Sequence, residues 1–141
     1  MAGTTNINLT GNQGPDAALN AALAALNTGQ QSKTVSTQAS GTLALAAADS
    51  GKVYSNIGAT GQVTYNLPTA AAGLTYTFTN QDSDGIAVVA AAGDTIRIGT
   101  TQSPAPGSMA ATALGATITL IAVDANEWVG YCREGTWVLA A

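Results

Sequence analysis

The chain has 141 residues, of which 46% are apolar and only 9% are charged, and it contains no histidine. Without histidine, one chain cannot build a Ser–His–Asp triad, a Cys–His pair or a His-ligated metal site. Four basic and eight acidic residues give a net charge of −4, which leaves no basic surface for nucleic-acid phosphates. The apolar runs are shorter than the roughly 18 residues that a membrane span needs. The first ten residues, MAGTTNINLT, also lack the features of a secretory signal.

The chain is rich in small uncharged residues, chiefly alanine, threonine and glycine, where an average domain has more charged ones. A domain that stays soluble through its own charge carries far more Lys, Glu and Arg than this one does. We therefore expect part of the surface to be covered by partner molecules. The single cysteine, Cys132, lies in the apolar run WVGYC. It cannot form an intrachain disulfide, and we expect a buried thiol rather than a link between chains.

The N-terminal part, residues 1–33, is predicted to be a polar arm followed by one short helix. Ile7 and Leu9 alternate with polar residues, as in a short strand. The helix is predicted to start at Pro15, which suits a first helical position, and to end near Gly29. Its apolar face consists of Leu19, Leu23 and Leu26. This face either caps the domain core or joins two other copies in a small bundle, and the periodicity does not decide between them.

From residue 34 to 141 the pattern changes to short alternating runs separated by turn residues, which predicts a separate β domain. The predicted strands are Thr34–Ser40, Thr42–Ala47, Lys52–Ile57, Gln62–Leu67, Leu74–Asn80, Ile86–Ala91, Asp94–Ile98, Ala116–Val123, Glu127–Cys132 and Thr136–Leu139. The segment Gly99 to Ala113 is predicted to be a long functional loop of small residues. The fold class predicted from this pattern is mainly β: an antiparallel, jelly-roll-like sandwich or barrel with one short N-terminal α-helix.

Few side chains form a pattern that suggests chemistry. Asn80 to Gly85 begins like a calcium-binding loop, but alanine stands at position 91, where such a loop needs glutamate, so a turn is favoured. The acidic residues Asp94, Asp124, Glu127 and Glu134 are expected to be solvated turn residues rather than a hydrolase pair. The glycine-rich stretches lack the lysine of a phosphate-binding loop. We therefore predict no catalytic residues, cofactor or metal.

The C-terminal two-thirds of the chain contains a series of motifs: a strand ending in Leu-Pro followed by small residues, a Gly-Asp-Thr-Ile turn, and a strand leading to Glu-Trp-Val and a final Gly-Thr-Trp. These elements are Leu67-Pro68 with Ala70 to Phe78, Gly93 to Ile96, Ala116 to Val123, Glu127 to Val129, and Gly135 to Trp137. In this series the chain resembles a β domain that recurs in virion proteins of tailed bacteriophages. In this family the domain occurs on capsid decoration proteins, head fibres and tail fibres, commonly as trimers.

The resemblance implies a structural protein of a phage particle, without enzymatic activity. The chain contains no long shaft of the kind a tail fibre needs, so we expect a decoration (cement) protein, made in the host cytoplasm and located on the outer surface of the head. Its expected partners are the major capsid protein and two further copies of itself, with no nucleic acid and no membrane. The residues expected to contribute to attachment or subunit association are Ile7, Leu9, Leu19, Leu23 and Leu26.

The alternative is a head-fibre or short tail-fibre adhesin that binds host-surface glycans. Aromatic faces stack on sugars, and the candidates are Trp128, Tyr131 and Trp137. Exposure of these rings would favour the adhesin, whereas burial of both tryptophans would count against it. A polysaccharide-degrading enzyme is a third hypothesis, and it needs a carboxylate pair.

Overall fold

The computed structural model of the chain describes residues 19–21 and 34–141. The chain divides into two units, Met1–Ser32 and Lys33–Ala141. In the first unit the described residues 19–21 are helical and lie within the predicted helix, whose other residues are outside the described part. No helix among the described residues has the length and apolar character that crossing a membrane requires.

The described residues of the second unit form twelve strands and one short 3-10 turn, Ala47–Asp49. The strands are β1 (Val35–Thr37), β2 (Gly41–Ala44), β3 (Val53–Ser55), β4 (Val63–Asn66), β5 (Thr75–Thr79), β6 (Ile86–Val89), β7 (Thr95–Ile98), β8 (Thr101–Gln102), β9 (Ser108–Ala111), β10 (Thr117–Ala122), β11 (Glu127–Glu134) and β12 (Val138–Leu139). Each of the ten predicted strands overlaps one of them.

The strands make two sheets that pack together as a β-sandwich, so the predicted mainly β sandwich is confirmed. The seven-stranded sheet has the order β1-β3-β5-β10-β11-β7-β8, and the five-stranded sheet has the order β12-β9-β6-β4-β2. Side chains alternate between the interior and the outer face, as in β5, where Tyr76 and Phe78 are buried and the three threonines are half-buried.

The strand pairing is mixed, so the expected antiparallel, jelly-roll-like pairing was wrong. Within the described residues, five of the ten strand pairs are parallel: β1–β3, β3–β5, β7–β11, β2–β4 and β4–β6. The first six strands alternate between the two sheets. As a result β3 lies parallel to β1, β4 to β2, β5 to β3 and β6 to β4. Alternating hydrophobicity shows which face is buried but does not reveal the direction of the neighbouring strand.

The segment Gly99 to Ala113 is not the structureless loop that was expected. It contains β8 and β9, and β9 pairs with both β6 and β12. Met109 and Ala111 of β9 are buried at 2% and 3% exposure. Alanine and serine have low strand propensity, so Ser-Met-Ala-Ala does not look like a strand until its neighbours are known.

The interior is built from side-chain rows that cross the sheets in register. In the five-stranded sheet, one row pairs Leu43 with Tyr65, Tyr65 with Val88, Val88 with Met109, and Met109 with Leu139. The seven-stranded sheet contributes most of the large rings. The ring contacts within the core join Tyr54, Tyr65, Tyr76, Phe78 and Trp128, with centroids 5.1 to 6.4 Å apart. These rings bury large apolar areas, and burial of apolar area stabilises the sandwich.

Candidate functional site

The outer face of the five-stranded sheet is the most distinctive surface in the described part of the chain. The pairing register places two rows of side chains on it, and none of them is charged. We call this surface the uncharged face, and it consists of Thr42, Ala44, Thr64, Asn66, Ala87, Val89, Ser108, Ala110 and Val138. The five strands themselves contain no Asp, Glu, Lys or Arg.

Two shallow pockets lie on or beside the uncharged face. The first has a volume of about 350 Å³ and includes Thr64, Ala87, Val89 and Ser108 in its wall. The second, of about 390 Å³, lies between the strand ends at residues 110–113 and 136–138. Ala110 and Val138 line both pockets, and Val138 is 63% exposed. An exposed aliphatic side chain therefore stands between two concavities.

The outer face of the seven-stranded sheet has different chemistry. Arg97 of β7 donates to the carboxylate of Glu127 on β11. Threonine hydroxyls bond across strands: those of Thr77 and Thr119 lie 2.9 Å apart, and that of Thr117 donates to that of Thr79 at 3.0 Å. The polar side chains on this face therefore form hydrogen bonds with one another across neighbouring strands.

The structure buries two of the three aromatic residues that were considered for glycan binding. Trp128 is fully buried and Trp137 is 7% exposed, whereas Tyr131 is 56% exposed. A ring inside the sandwich offers no face to a sugar. The indole N–H groups of Trp128 and Trp137 have no hydrogen-bond partner among the described residues. Both tryptophans are therefore packing residues, and their burial counts against a glycan platform built from them.

The segment Asn80 to Gly85 forms a turn between β5 and β6. Asn80 is fully buried, its amide donates to the carbonyl of Ala113 at 2.9 Å, and its oxygen accepts from Asn56 at 2.7 Å. Asp82 accepts from the backbone N–H of Asp84 at 3.2 Å, as aspartates do in turns. The side chain in the first position of the suspected calcium loop is thus already committed inside the protein, which agrees with the turn interpretation.

Asn56 connects this turn to the rest of the sandwich. Its amide donates to Asn80 and to the carbonyl of Gly85 at 3.0 Å, and its oxygen accepts from the backbone N–H of Gln81 at 2.7 Å. Asn56 is fully buried and directly follows β3. Its hydrogen bonds therefore fix the turn through which the chain passes from β5 of the seven-stranded sheet to β6 of the five-stranded sheet. Asn56 does not stand out in the sequence, because a lone asparagine after a strand is an ordinary turn signal.

One of the four acidic residues expected to be solvated is instead buried. Asp94 is 1% exposed, and one of its oxygens accepts from the backbone N–H of Ala70 at 2.7 Å. Its other oxygen has no partner among the described residues. Asp124 is a turn residue that accepts from the backbone of Asn126 and Glu127. No group of three or more Cys, Asp or Glu residues in the described part of the chain could hold a metal ion.

The predicted attachment residues fall mostly outside the described residues. Leu19 is helical and half-buried. Ile7, Leu9, Leu23 and Leu26 lie outside the described part, so their role remains a prediction. The predicted burial of the Cys132 thiol also remains a prediction, although the backbone of Cys132, in β11, pairs with Ile118 of β10. The uncharged face was not predicted, although a signal was present: the strand segments GTLA, IAVV and SMAA carry no charge.

No protein-family model matches the chain, and no curated protein sequence is significantly similar to it.

Proposed function

We propose that this chain is a structural protein of a tailed-phage particle, a decoration protein that binds the outer surface of the head and stabilises the shell. It acts by binding rather than by catalysis. Its partners are the major capsid protein and further copies of itself, assembled as a homotrimer.

One observation carries the proposal: several large apolar residues of the motifs that resemble the phage virion domain line the interior of this sandwich. Leu67, Phe78, Ile96, Leu120 and Trp128 belong to those motifs, and each is at most 4% exposed. The similarity therefore concerns the packing that defines the domain rather than scattered surface positions. Because a fold module alone does not define a role, the location on the head also rests on the uncharged outer face of the five-stranded sheet.

The mechanism requires only selective binding. A protein that binds the mature shell, and not its disrupted form, stabilises the shell by mass action. At a free concentration of one hundred times the dissociation constant, each site contributes about 2.7 kcal/mol. Many equivalent sites on a symmetric lattice add to a large resistance against internal pressure. A three-fold arrangement of copies would match a three-fold axis of the shell.

The glycan-binding adhesin remains the second proposal, and Tyr131 is the observation that favours it. Its ring is 56% exposed on the outer face of the seven-stranded sheet. The burial of Trp128 and Trp137 leaves this ring as the only one of the three candidates able to stack on a sugar. A single exposed tyrosine is weaker support than a platform of several rings.

Immunogold electron microscopy of purified virions of the encoding phage tests the proposal. Antibody raised against this chain should place gold over the whole head surface. Antibody pre-adsorbed with the purified protein provides the control. Gold confined to the tail would overturn the decoration function in favour of the adhesin, and virions without specific gold would overturn both proposals.

A further inference from the structure

We propose that one end of the sandwich binds the shell, and that its partner there is an apolar pocket of the major capsid protein flanked by Lys or Arg side chains. We call it the Asn80 end, and it consists of the connections β3–β4, β5–β6, β9–β10 and β11–β12, which the strand register brings together. This inference rests on the proposed decoration function and adds the surface that performs it.

Exposed apolar side chains are concentrated at the Asn80 end. In the described part of the chain six large apolar side chains are exposed, and three of them, Ile57, Leu114 and Val138, lie at this end. Leu114 is the most exposed of the six, at 68%. Ala113, its neighbour in the chain, lines a shallow pocket of about 390 Å³. This end therefore offers both apolar side chains and a concavity, as the centres of protein interfaces do.

Buried hydrogen bonds hold the two protruding loops in place. Asn56, which precedes Ile57, donates to the side chain of Asn80 at 2.7 Å. Asn80 in turn donates to the carbonyl of Ala113, which precedes Leu114, at 2.9 Å. Both apolar side chains therefore follow a residue that is bonded to the same buried asparagine. Loops that are fixed before binding lose little conformational entropy when they bind.

The charge of the Asn80 end selects its partner. Asp82 and Asp84 lie in the β5–β6 turn, and neither carboxylate forms an ion pair among the described residues. Arg133 and Glu134, at the end of β11, carry opposite charges, so two negative charges remain in excess. A second copy, a nucleic acid or an anionic membrane would bring like charge against them. Lys and Arg side chains around an apolar pocket would attract them instead.

The proposed homotrimer multiplies this contact. Rotation about a three-fold axis places the Asn80 ends of all three copies at the same height, so the three can bind the shell together. Once one end is bound, the other two bind at a high effective concentration, and the overall affinity exceeds that of a single site by orders of magnitude. A patch of a few side chains on each copy is therefore enough for attachment.

Binding of the full-length chain to heads purified from a phage in which its gene is deleted tests this inference. Sedimentation with the heads at increasing protein concentration gives the apparent dissociation constant. Leu114→Ser and Ile57→Ser, at exposed positions in separate loops, should each raise this constant about tenfold or more. Val35→Ser is the matched control, because Val35 is 62% exposed at the start of β1, towards the other end of the sandwich. It should bind like the wild type.

A second pair of variants tests the charge. Asp82→Asn keeps an oxygen that can accept from the backbone N–H of Asp84, so it preserves the turn. It should weaken binding about threefold at low salt and make binding less sensitive to salt. Asp49→Asn removes one negative charge from the 3-10 turn at the opposite end and should bind like the wild type. Wild-type binding that does not weaken as salt is raised would overturn the basic partner.

Circular dichroism should give every variant the wild-type spectrum. Equal binding of Leu114→Ser, Ile57→Ser and Val35→Ser would overturn the Asn80 end as the attachment surface and leave the decoration function intact. A wild type that does not bind the heads would overturn the decoration function itself.

Discussion

The two sheets of this sandwich share one interior but present different outer faces. The seven-stranded sheet supplies Tyr54, Tyr76, Phe78 and Trp128 to the core, and its outer face holds an ion pair and cross-strand threonine bonds. The five-stranded sheet supplies Tyr65 as its one buried ring within the described residues. Its outer face carries no charge.

The large rings of the seven-stranded sheet pack against side chains of the five-stranded sheet, as Tyr54 and Phe78 do against Tyr65, and burial of apolar area dominates the free energy of folding. The small uncharged side chains on the outer face of the five-stranded sheet are not part of this interior. Substitutions inside the sandwich should therefore lower its stability more than substitutions on its surface, and the following predictions test that difference.

The largest effect is expected at Trp128, in the centre of the seven-stranded sheet. Trp128→Ala should lower the free energy of unfolding by about 4 kcal/mol, because it removes a large buried ring and leaves a cavity. Chemical denaturation measures this loss. Trp128→Phe should lose much less, since the indole N–H has no hydrogen-bond partner among the described residues. Equal losses for the two variants would show that the N–H, rather than the ring volume, matters.

The next effect concerns the link between the sheets. Asn56→Ala should lower the free energy of unfolding by about 3 kcal/mol, because it leaves the buried amide oxygen of Asn80 and the backbone N–H of Gln81 without their partner. Gln81→Ala is the control, because Gln81 contributes its backbone N–H to this network and its side chain is exposed. A loss of stability in the control as large as that in Asn56→Ala would contradict the assignment.

A third prediction uses one buried tyrosine from each sheet. Burial raises the pKa of Tyr54 and of Tyr65 to about 12, and the pKa of Tyr76 also rises. Above pH 10 the unfolded chain ionises its tyrosines while the folded chain keeps these protonated, so stability falls between pH 10 and pH 12. At pH 11, Tyr54 and Tyr65 should each lower the free energy of unfolding by about 1 kcal/mol relative to neutral pH.

Thermal melting followed by circular dichroism between pH 8 and pH 12 measures this loss. The melting temperature of Tyr65→Phe should fall less steeply with rising pH than that of the wild type. At neutral pH this variant lacks the hydrogen bond of 2.9 Å that the Tyr65 hydroxyl donates to the carbonyl of Ser55. An unchanged slope in Tyr65→Phe would contradict the role of this ring.

The smallest effect is expected at the surface. Lys52 donates to Asp49 at 2.7 Å, and the backbone N–H of Ala46 donates to the same carboxylate at 2.9 Å. These bonds hold the pKa of Asp49 below its usual range, chiefly through Lys52. Asp49→Asn should cost about 0.5 kcal/mol at neutral pH, as exposed ion pairs do.

The contribution of Asp49 has a defined pH window. It should be fully present above the pKa of the unfolded chain, near pH 4, and should be lost as the pH falls through the lower folded value. Chemical denaturation of wild type and Asp49→Asn at pH 7 and pH 3 measures it. A difference that does not shrink at pH 3 would rule out the ionised carboxylate as its source.

The sequence predicted the buried faces of the sheets well and their connections poorly. Val63, Tyr65 and Leu67, or Tyr76 and Phe78, alternate with polar residues, and this local signal depends only on burial. Pairing direction and the strand Ser108–Ala111 depend on residues far away in the chain, which local patterns do not contain. The uncharged face, likewise, exists only once the register brings Thr64, Ala87 and Ala110 side by side.

The winding of the first six strands also determines when this unit can fold during synthesis. Val53 pairs with a residue 18 positions earlier and another 24 positions later, whereas β10 and β11 form a local hairpin near the end of the chain. β11 lies between β10 and β7 inside the seven-stranded sheet. A nascent chain that ends before Glu127 therefore leaves the β7–β8 pair without its connection to the rest of the seven-stranded sheet. This sheet can be completed only after the ribosome has delivered β11.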